Sequence, residues 1–126
     1  MLIRYYNEPE DISNLPWIKY GRENESKCIE KYNSTFPDKI TKCGCFIHKK
    51  EVNVLASPDG LILSKEMVVE AKCPWNRRTV DPNIVIPEFC YFDDFGKIQL
   101  KQNHPYFFQI QCQMFVVGFK KGKFLV

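Results

Sequence analysis

The sequence predicts an α/β or α+β domain with a central β-sheet flanked by helices, and three observations lead to this fold class. A helical apolar pattern stands near the start of the chain, several short apolar runs follow it, and a second helical pattern precedes a last short run. Helices in this order commonly pack against the faces of one sheet. The 126 residues are enough for one domain with a substantial core.

The first predicted element is a helix over residues 13–33. Ser13 or Asn14 could cap it, and Pro16 falls in the first turn, where a missing N–H costs little. Glu25 lies on the apolar stripe of this helix, an unusual position for a carboxylate. The other members of the stripe are Ile18, Gly21, Cys28, Ile29 and Tyr32.

Short apolar runs separated by turn residues predict six strands after this helix. In the SPDG stretch, Pro58 and Gly60 supply the fixed and the permissive backbone positions that a tight turn needs. The DDFG stretch likewise predicts the turn of a hairpin. The expected strands cover residues 42–48, 53–57, 61–63, 66–73, 89–92 and 97–100.

A second helix is expected over residues 103–117, followed by a strand that begins at residue 123. Asn103 is the predicted cap, Pro105 lies in the first turn and Gly118 stands just past the end. His104 could make a hydrogen bond at the helix start. The helical apolar stripe, interpreted as core, consists of Phe107, Ile110, Met114 and Val117.

The bulk composition limits the partners and the compartment. A formal net charge of +3 does not establish an acidic polymer as partner, but it is compatible with a local basic patch. No apolar run approaches the roughly 18 residues that span a bilayer, so no membrane association is expected. The N-terminus lacks the apolar core of a signal peptide, which favours an intracellular protein, nuclear or cytoplasmic, with six reduced cysteines.

Three charged residues near the middle of the chain form a chemically suggestive group. Glu70 and Lys72 are two apart in a predicted strand, so they share a face at about 7 Å separation. If this strand pairs with residues 61–63 as a hairpin, Asp59 arrives beside Glu70. Two carboxylates that close repel each other, and a divalent cation such as Mg²⁺ or Mn²⁺ removes the conflict. With Lys72 placed to orient a water, the group is suited to metal-assisted phosphodiester hydrolysis.

The spacing of these residues resembles a known nuclease signature. Asp59, ten intervening residues and then Glu-x-Lys, with a proline before the aspartate, is the pattern of the PD-(D/E)xK superfamily. Four ordered segments resemble the YqaJ-like viral recombinase family, the relatives of phage lambda-type exonuclease. They are KYGRENESKCIEKY, CGCFIHKKEVNVLASPDGLI, VVEAKCP and LKQNHPYFFQIQCQMFVVG.

The resemblance implies roles for individual residues. Asp59, Glu70 and the backbone carbonyl of Ala71 would bind metal, and Lys72 would activate or hold the attacking water. Glu25 matches the helix acid that helps with the metals. Tyr106 and Gln109 match the helix motif that borders the site, whereas a polar helix face explains Gln111 and Gln113 equally well. Replacing Asp59, Glu70 or Lys72 with alanine is expected to abolish cleavage and leave the fold intact.

The resemblance also implies a restriction-endonuclease-like core with a central mixed sheet, formed by residues 1–126 as one domain. Compared with the family pattern, the upstream helices and the later C-terminal elements are expected to be missing. The implied activity is 5′-to-3′ digestion of double-stranded DNA from an end, with two Mg²⁺ ions for which Mn²⁺ can substitute. A homotrimer and a single-strand annealing protein are the implied partners. An endonuclease or nickase, and a DNA-binding module that no longer cuts, remain as alternatives.

Several further residues are candidates for contacts with DNA or metal. Arg77 and Arg78 follow the catalytic strand, and Ser57 precedes the turn proline. Lys120 and Lys121 form a basic cluster after the second helix, although a surface lysine run usually serves solubility. The Cys-x-Cys pair at residues 43 and 45, followed by His48, hints at zinc. The spacing differs from the usual knuckle, so Cys43 and Cys45 are interpreted as core thiols.

Overall fold

The computed structural model describes residues 11–81 and 85–126. Within these ranges the chain forms two α-helices and seven strands. The helices are α1 (Pro16–Thr35) and α2 (Pro105–Val117). The strands are β1 (Phe46–Ile47), β2 (Leu55–Ala56), β3 (Gly60–Ile62), β4 (Met67–Ala71), β5 (Cys90–Phe92), β6 (Ile98–Leu100) and β7 (Lys121–Leu125).

The central sheet of the described residues has three strands in the order β3-β4-β7. β3 and β4 are antiparallel neighbours, whereas β4 and β7 run parallel. Two smaller antiparallel pairs, β1 with β2 and β5 with β6, stand beside it. The expectation of an α/β fold with a mixed sheet and two helices is therefore confirmed.

The sheet is covered on both faces because β4 carries apolar side chains on both sides. Val69 and Ala71 face α1 and pack with Ile29 and Tyr32 of that helix. Val68 faces the other way and packs with Ile110 of α2, in a second cluster that includes Leu61. Each face thus has its own apolar core, and β4 is the buried centre of the domain.

The helix starts differ from the sequence prediction. α1 begins at Pro16 with Leu15 as the N-cap, and no side chain caps it, so Ser13 and Asn14 are not the caps. The Ser13 N–H donates instead to Asp11 Oδ1 at 3.0 Å, which keeps this stretch in a turn before the helix. The proline at the first helical position supplies the favourable start without a cap.

The second helix is capped by a histidine. His104, not Asn103, is the N-cap of α2, and its Nδ1 accepts a hydrogen bond from the Tyr106 N–H at 3.2 Å. This is the helix-start hydrogen bond expected of His104. Gly118 ends the helix at φ 83°, in the left-handed region that favours glycine, as predicted.

The strands are shorter than predicted. The run at 42–48 is a strand only at Phe46–Ile47, preceded by an isolated bridge between Thr41 and Leu61. β3 ends at Ile62, because the chain then turns through a 3-10 segment at Leu63–Lys65. β7 begins two residues earlier than expected.

Gly60 of β3 has to be a glycine because residues 40–41 lie directly against it. A Cβ on Gly60 would overlap the Ile40 side chain and lie 3.0 Å from the Thr41 carbonyl oxygen. The close approach fixes the backbone directly after Asp59. In the described ranges, no helix has the length and apolar character needed to cross a membrane.

Candidate active site

Glu70 is the most buried charged residue of the described part of the chain. It lies on β4 facing α2, and only 2% of it is exposed. Its Oε1 accepts hydrogen bonds from Lys72 Nζ and from Gln109 Nε2, both at 2.5 Å. Its Oε2 accepts one from Gln113 Nε2 at 2.6 Å. A buried carboxylate needs such donors because desolvation otherwise disfavours its charge.

Asp59 lies at the end of the β3–β4 hairpin, as predicted. Gly60 pairs with Val69, so the next residue outward on each strand places Asp59 across from Glu70. The Asp59 N–H donates to the Val69 carbonyl at 3.0 Å. The Ala71 N–H donates to Asp59 Oδ2 at 2.8 Å. These two bonds bind the aspartate to the end of β4.

Glu25 approaches the same end of β4 from α1. Burial raises the pKa of the half-buried Glu25 carboxyl. Lys72 opposes this rise, the negative charges of Asp59 and Glu70 add to it, and the Cys73 N–H donates to the carboxylate. Glu25 also lines one cavity together with Asp59 and another together with Lys72, so these charged groups lie in one neighbourhood.

Lys72 carries the positive charge of the site. Burial alone would lower the pKa of this amine, but the hydrogen bond to Glu70 and the charges of Glu70, Glu25 and Asp59 outweigh it and raise the pKa. The ammonium group also lies 5.5 Å from the centre of the Tyr106 ring. Lys72 is thus protonated at neutral pH and points toward the aromatic border of the site.

Two cavities open onto these residues. One, of about 640 Å³, is lined by Glu25, Lys72 and Tyr106 among others. The second, of about 320 Å³, is lined by Glu25, Asp59 and Ser57 among others. Glu25 borders both, so solvent can reach its carboxylate from either cavity, whereas Asp59 borders only the smaller one.

The donor set has the chemistry that Mg²⁺ and Mn²⁺ prefer. Asp59 and Glu25 line one cavity, and carboxylate and carbonyl oxygens are the usual ligands of these ions. Within residues 11–81 and 85–126, no three His, Cys, Asp or Glu side chains stand close enough together to hold a metal ion. Mg²⁺ commonly takes only one or two carboxylates and keeps several waters, so the pair fits it. Glu70 would have to give up one of its hydrogen bonds to bind the same ion as Asp59 and Glu25.

A comparison with protein families decides the classification. Residues 4–120 match the model of the YqaJ-like viral recombinase domain. The chain belongs to the YqaJ-like viral recombinase family. This family is generally nuclease-like, so membership supports a nuclease or recombination role for the chain. No curated protein and no solved structure matches the chain significantly.

The sequence alone did not show that Gln113 of this YqaJ domain, unlike Gln111, contacts the candidate site. Gln113 is buried and bonds to Glu70, while Gln111 is exposed. Gln109 and Gln113 are four residues apart, so they share a helix face, and Gln111 does not lie on it. That spacing, combined with the Glu70 strand opposite, is the signal that could have found Gln113.

The two arginines that follow β4, Arg77 and Arg78, already have partners within the chain. Arg77 Nη2 lies 2.5 Å from Glu88 Oε2, and Arg77 Nε donates to the same oxygen at 3.1 Å. The guanidinium of Arg78 stacks on the Trp75 ring at 4.0 Å from its centre. Both stand next to Pro74 on the wall of a further cavity that Lys72 also lines.

The lysine cluster lies at the other end of the sheet. Lys121 pairs with Met67, four residues before Ala71 on the parallel neighbour β4. At roughly 3.3 Å per residue this separates Lys120 and Lys121 from the site by about 13 Å. These lysines do not join the carboxylates.

The Cys-x-Cys pair does not form one feature. Cys43 packs in the core on the α2 side and its Sγ contacts the Pro58 carbonyl at 3.4 Å. Cys45 is exposed, so its interpretation as a core thiol was wrong, because the chain there leaves the sheet. His48 Nδ1 accepts from the Glu51 N–H at 2.9 Å and the ring stacks on Phe115.

A second pair of thiols lies close to Glu25. A hydrogen bond with Cys73 lowers the pKa of Cys28 to about 7, and the same contact raises the pKa of Cys73. All six cysteines are free thiols.

Proposed function

We propose that this chain is a Mg²⁺-dependent deoxyribonuclease with a restriction-endonuclease-like core that digests double-stranded DNA from its 5′ ends in recombination. The observation that carries the proposal is the convergence of Asp59, Glu70, Lys72 and Glu25 at one end of β4. Membership in a nuclease-like family supports the same reaction class.

In this proposal the carboxylates of Asp59 and Glu25 and the carbonyl of Ala71 hold one or two Mg²⁺ ions, with Glu70 as a further ligand. Mn²⁺ can take the place of Mg²⁺. When bound, the metal supplies charge stabilisation at the phosphate and lowers the pKa of water. Burial, together with the negative charges of Asp59 and Glu70, raises the pKa of Glu25, and a divalent cation would relieve the repulsion among these carboxylates.

In the proposed reaction, Lys72 is the charged hydrogen-bond donor that the protein supplies. Its ammonium is held by Glu70 and is a donor that can bind a phosphate oxygen or a water. Because its pKa is raised, it acts as a charged donor and not as a base in the metal-free state. A nearby cation would lower this pKa, since like charges disfavour the protonated form.

Two residues of α2 position this pair. Gln109 donates to Glu70 Oε1, the oxygen that also accepts from Lys72. The Tyr106 ring lies beside the ammonium and also lines the larger cavity. The Tyr106 ring limits the directions in which Lys72 can point, and Gln109 limits those of its acceptor Glu70, which is the positioning that phosphoryl chemistry requires.

On the family resemblance, the proposal also includes two kinds of partner. The chain forms a homotrimer that stays on its DNA, and a single-strand annealing protein receives the 3′ strand. Arg77, Arg78 and Ser57 are the proposed DNA contacts near the site, and Lys120 and Lys121 would contact a more distant part of the duplex.

The test uses purified protein and linear duplexes labelled at the 5′ end of one strand or internally, with Mg²⁺, Mn²⁺ or EDTA. Wild-type protein should release labelled mononucleotides from the 5′ end with either metal and none in EDTA. Asp59→Asn should cleave about 10²- to 10³-fold more slowly than wild type, and Glu30→Gln, on the exposed side of α1, should cleave like wild type. If internal fragments appear instead of mononucleotides, the chain is an endonuclease or nickase and not an exonuclease. Binding without products would leave a DNA-binding module.

A further inference from the structure

Both tryptophans of the chain line the same cavity. The sequence contains two, Trp17 and Trp75, and both border the space of about 640 Å³ that Lys72 and Glu25 also line. This volume falls in the range of roughly 300–1,000 Å³ typical of small-ligand sites. Large aromatic rings at the mouth of a charged site call for an explanation beyond packing.

Trp75 is held in a fixed orientation. It begins a 3-10 turn at Trp75–Arg77, directly after Pro74. Tyr20 contacts its ring edge-to-face at 5.4 Å between centres and 85° between planes. Arg78 covers the ring and also donates to the Trp75 carbonyl at 2.7 Å. The residue is still 38% exposed, and it lines the cavity.

Trp17 is less enclosed. It lies in the first turn of α1 and is 52% exposed. Within the described part of the chain its ring contacts no other aromatic ring. Trp17, Gly21 and Glu25 follow one another at four-residue spacing, so one face of α1 leads from this ring to the acid. Gly21 leaves that path without a side chain.

The path has a length that suits a nucleic-acid strand. Eight residues of helix at 1.5 Å each place Trp17 about 12 Å along the axis from Glu25. In a duplex, one strand carries a phosphate every 3.4 Å along the axis, so this distance corresponds to a few nucleotides. One strand therefore has the length to place a base at Trp17 and a phosphate beside Glu25, in the cavity that Lys72 also lines.

The chemistry of the cavity favours an unpaired base. Every nucleobase has a flat face that stacks on an aromatic ring, and bases inside a duplex already use both faces on their neighbours. The cations Arg22 and Lys72 on the same wall are suited to the phosphates on either side. A cavity that combines exposed indoles with cations therefore selects single-stranded nucleic acid.

We infer that the cavity of Trp17 and Trp75 is a stacking subsite for an unpaired nucleobase of a DNA strand whose phosphodiester bond lies at Lys72. This deepens the proposed nuclease function and rests on it for the position of the scissile bond. The subsite gives preference to frayed or overhanging ends over blunt ones.

The two tryptophans provide their own probe, because all indole fluorescence of the chain comes from this cavity. The experiment titrates the full chain with a short oligothymidylate in EDTA, so that no cleavage takes place. Oligothymidylate should quench the fluorescence. An abasic oligonucleotide of equal length, which has the phosphates without the bases, should bind much more weakly.

Variants separate stacking from general charge. Trp17→Ala should weaken binding about 5- to 150-fold, as expected for loss of one stacked base. Trp17→Phe should retain most of the affinity. Phe95→Ala, at the exposed β5–β6 turn with 87% of the residue exposed, is the matched control and should bind like wild type. Circular dichroism confirms that each variant is folded.

The outcomes are distinguishable. Equal affinity for the abasic strand, unchanged affinity in a folded Trp17→Ala, or equal losses in Trp17→Phe and Trp17→Ala would overturn the subsite. Base-dependent quenching without any cleavage in Mg²⁺ would support the subsite and overturn the nuclease. Cleavage without base-dependent quenching would do the reverse.

Discussion

Replacing Glu70 with alanine should destabilise the fold as well as stop the chemistry. Sequence reasoning expects an intact fold, because a removed carboxylate relieves repulsion among acids. The hydrogen bonds predict the opposite. Glu70 is 2% exposed and accepts from Lys72, Gln109 and Gln113. Its loss leaves an ammonium and two amide groups without their acceptor.

The magnitude follows from these three donors. A hydrogen bond to a charged group contributes about 1.5–3 kcal/mol, and an unsatisfied buried polar group costs about 1–3 kcal/mol. The three are coupled through one carboxylate, so they do not add in full. Removing one partner of a buried ion pair costs about 3–5 kcal/mol, which we take as the expected loss in free energy of unfolding. For a domain of this size it corresponds to a fall in Tm of roughly 10–20 °C.

The assay is thermal and urea unfolding followed by circular dichroism in EDTA, so that metal binding makes no contribution. Glu30→Ala is the matched control, since Glu30 is an exposed glutamate of α1, and it should stay within about 0.5 kcal/mol of wild type. A Glu70→Ala protein that unfolds as wild type does would refute the buried network around this carboxylate.

Three further predictions follow from the described contacts. Glu25→Gln should stabilise the metal-free protein at neutral pH. The pKa of Glu25 is higher in the folded protein than in the unfolded chain, so wild type loses stability as the pH rises from the unfolded pKa through the folded one. The difference in Tm between Glu25→Gln and wild type should therefore vanish below about pH 4. His104→Ala should cost about 1 kcal/mol in urea unfolding, and Asn103→Ala should cost nothing measurable, because only His104 caps α2. Asp59→Asn should lower the rate of duplex cleavage in Mg²⁺ by about 10²- to 10³-fold at unchanged Tm, since an asparagine oxygen can still accept from the Ala71 N–H. The first prediction is contradicted by a Tm difference for Glu25→Gln that does not depend on pH, and the second by equal effects at residues 103 and 104. Cleavage by Asp59→Asn at the wild-type rate contradicts the third.

The order of elements was predictable because apolar periodicity changes visibly between helices and strands. Their ends were not. The strand expected at 42–48 is reduced to Phe46–Ile47, and before it Thr41 pairs with Leu61 of β3 as an isolated bridge. Ser13 and Asn14 do not cap α1, because the chain still turns there, with the Leu15 N–H donating to the Ile12 carbonyl, and the helix starts only at Pro16. Such competition among local hydrogen-bond partners is decided by geometry that periodicity does not contain.

The site was predictable where its residues are close in sequence. The Glu-x-Lys spacing on β4 and the hairpin register place Asp59 across from Glu70. The contacts from α2 are different, because Gln113 is far from Glu70 along the chain and a polar helix face explains it equally well. That the Gln109 and Gln113 amides would join Lys72 on one carboxylate follows only from the packing of α2 against β4.

The claim that Asp59 and Glu25, with Glu70, hold a divalent cation at the end of β4 is tested most directly by counting bound Mn²⁺ by electron paramagnetic resonance. Wild-type protein and Glu30→Gln should bind one or two ions, and Asp59→Asn should lose at least one while remaining folded. Absence of bound Mn²⁺ in wild type, or the same number of ions in Asp59→Asn, would contradict the metal site.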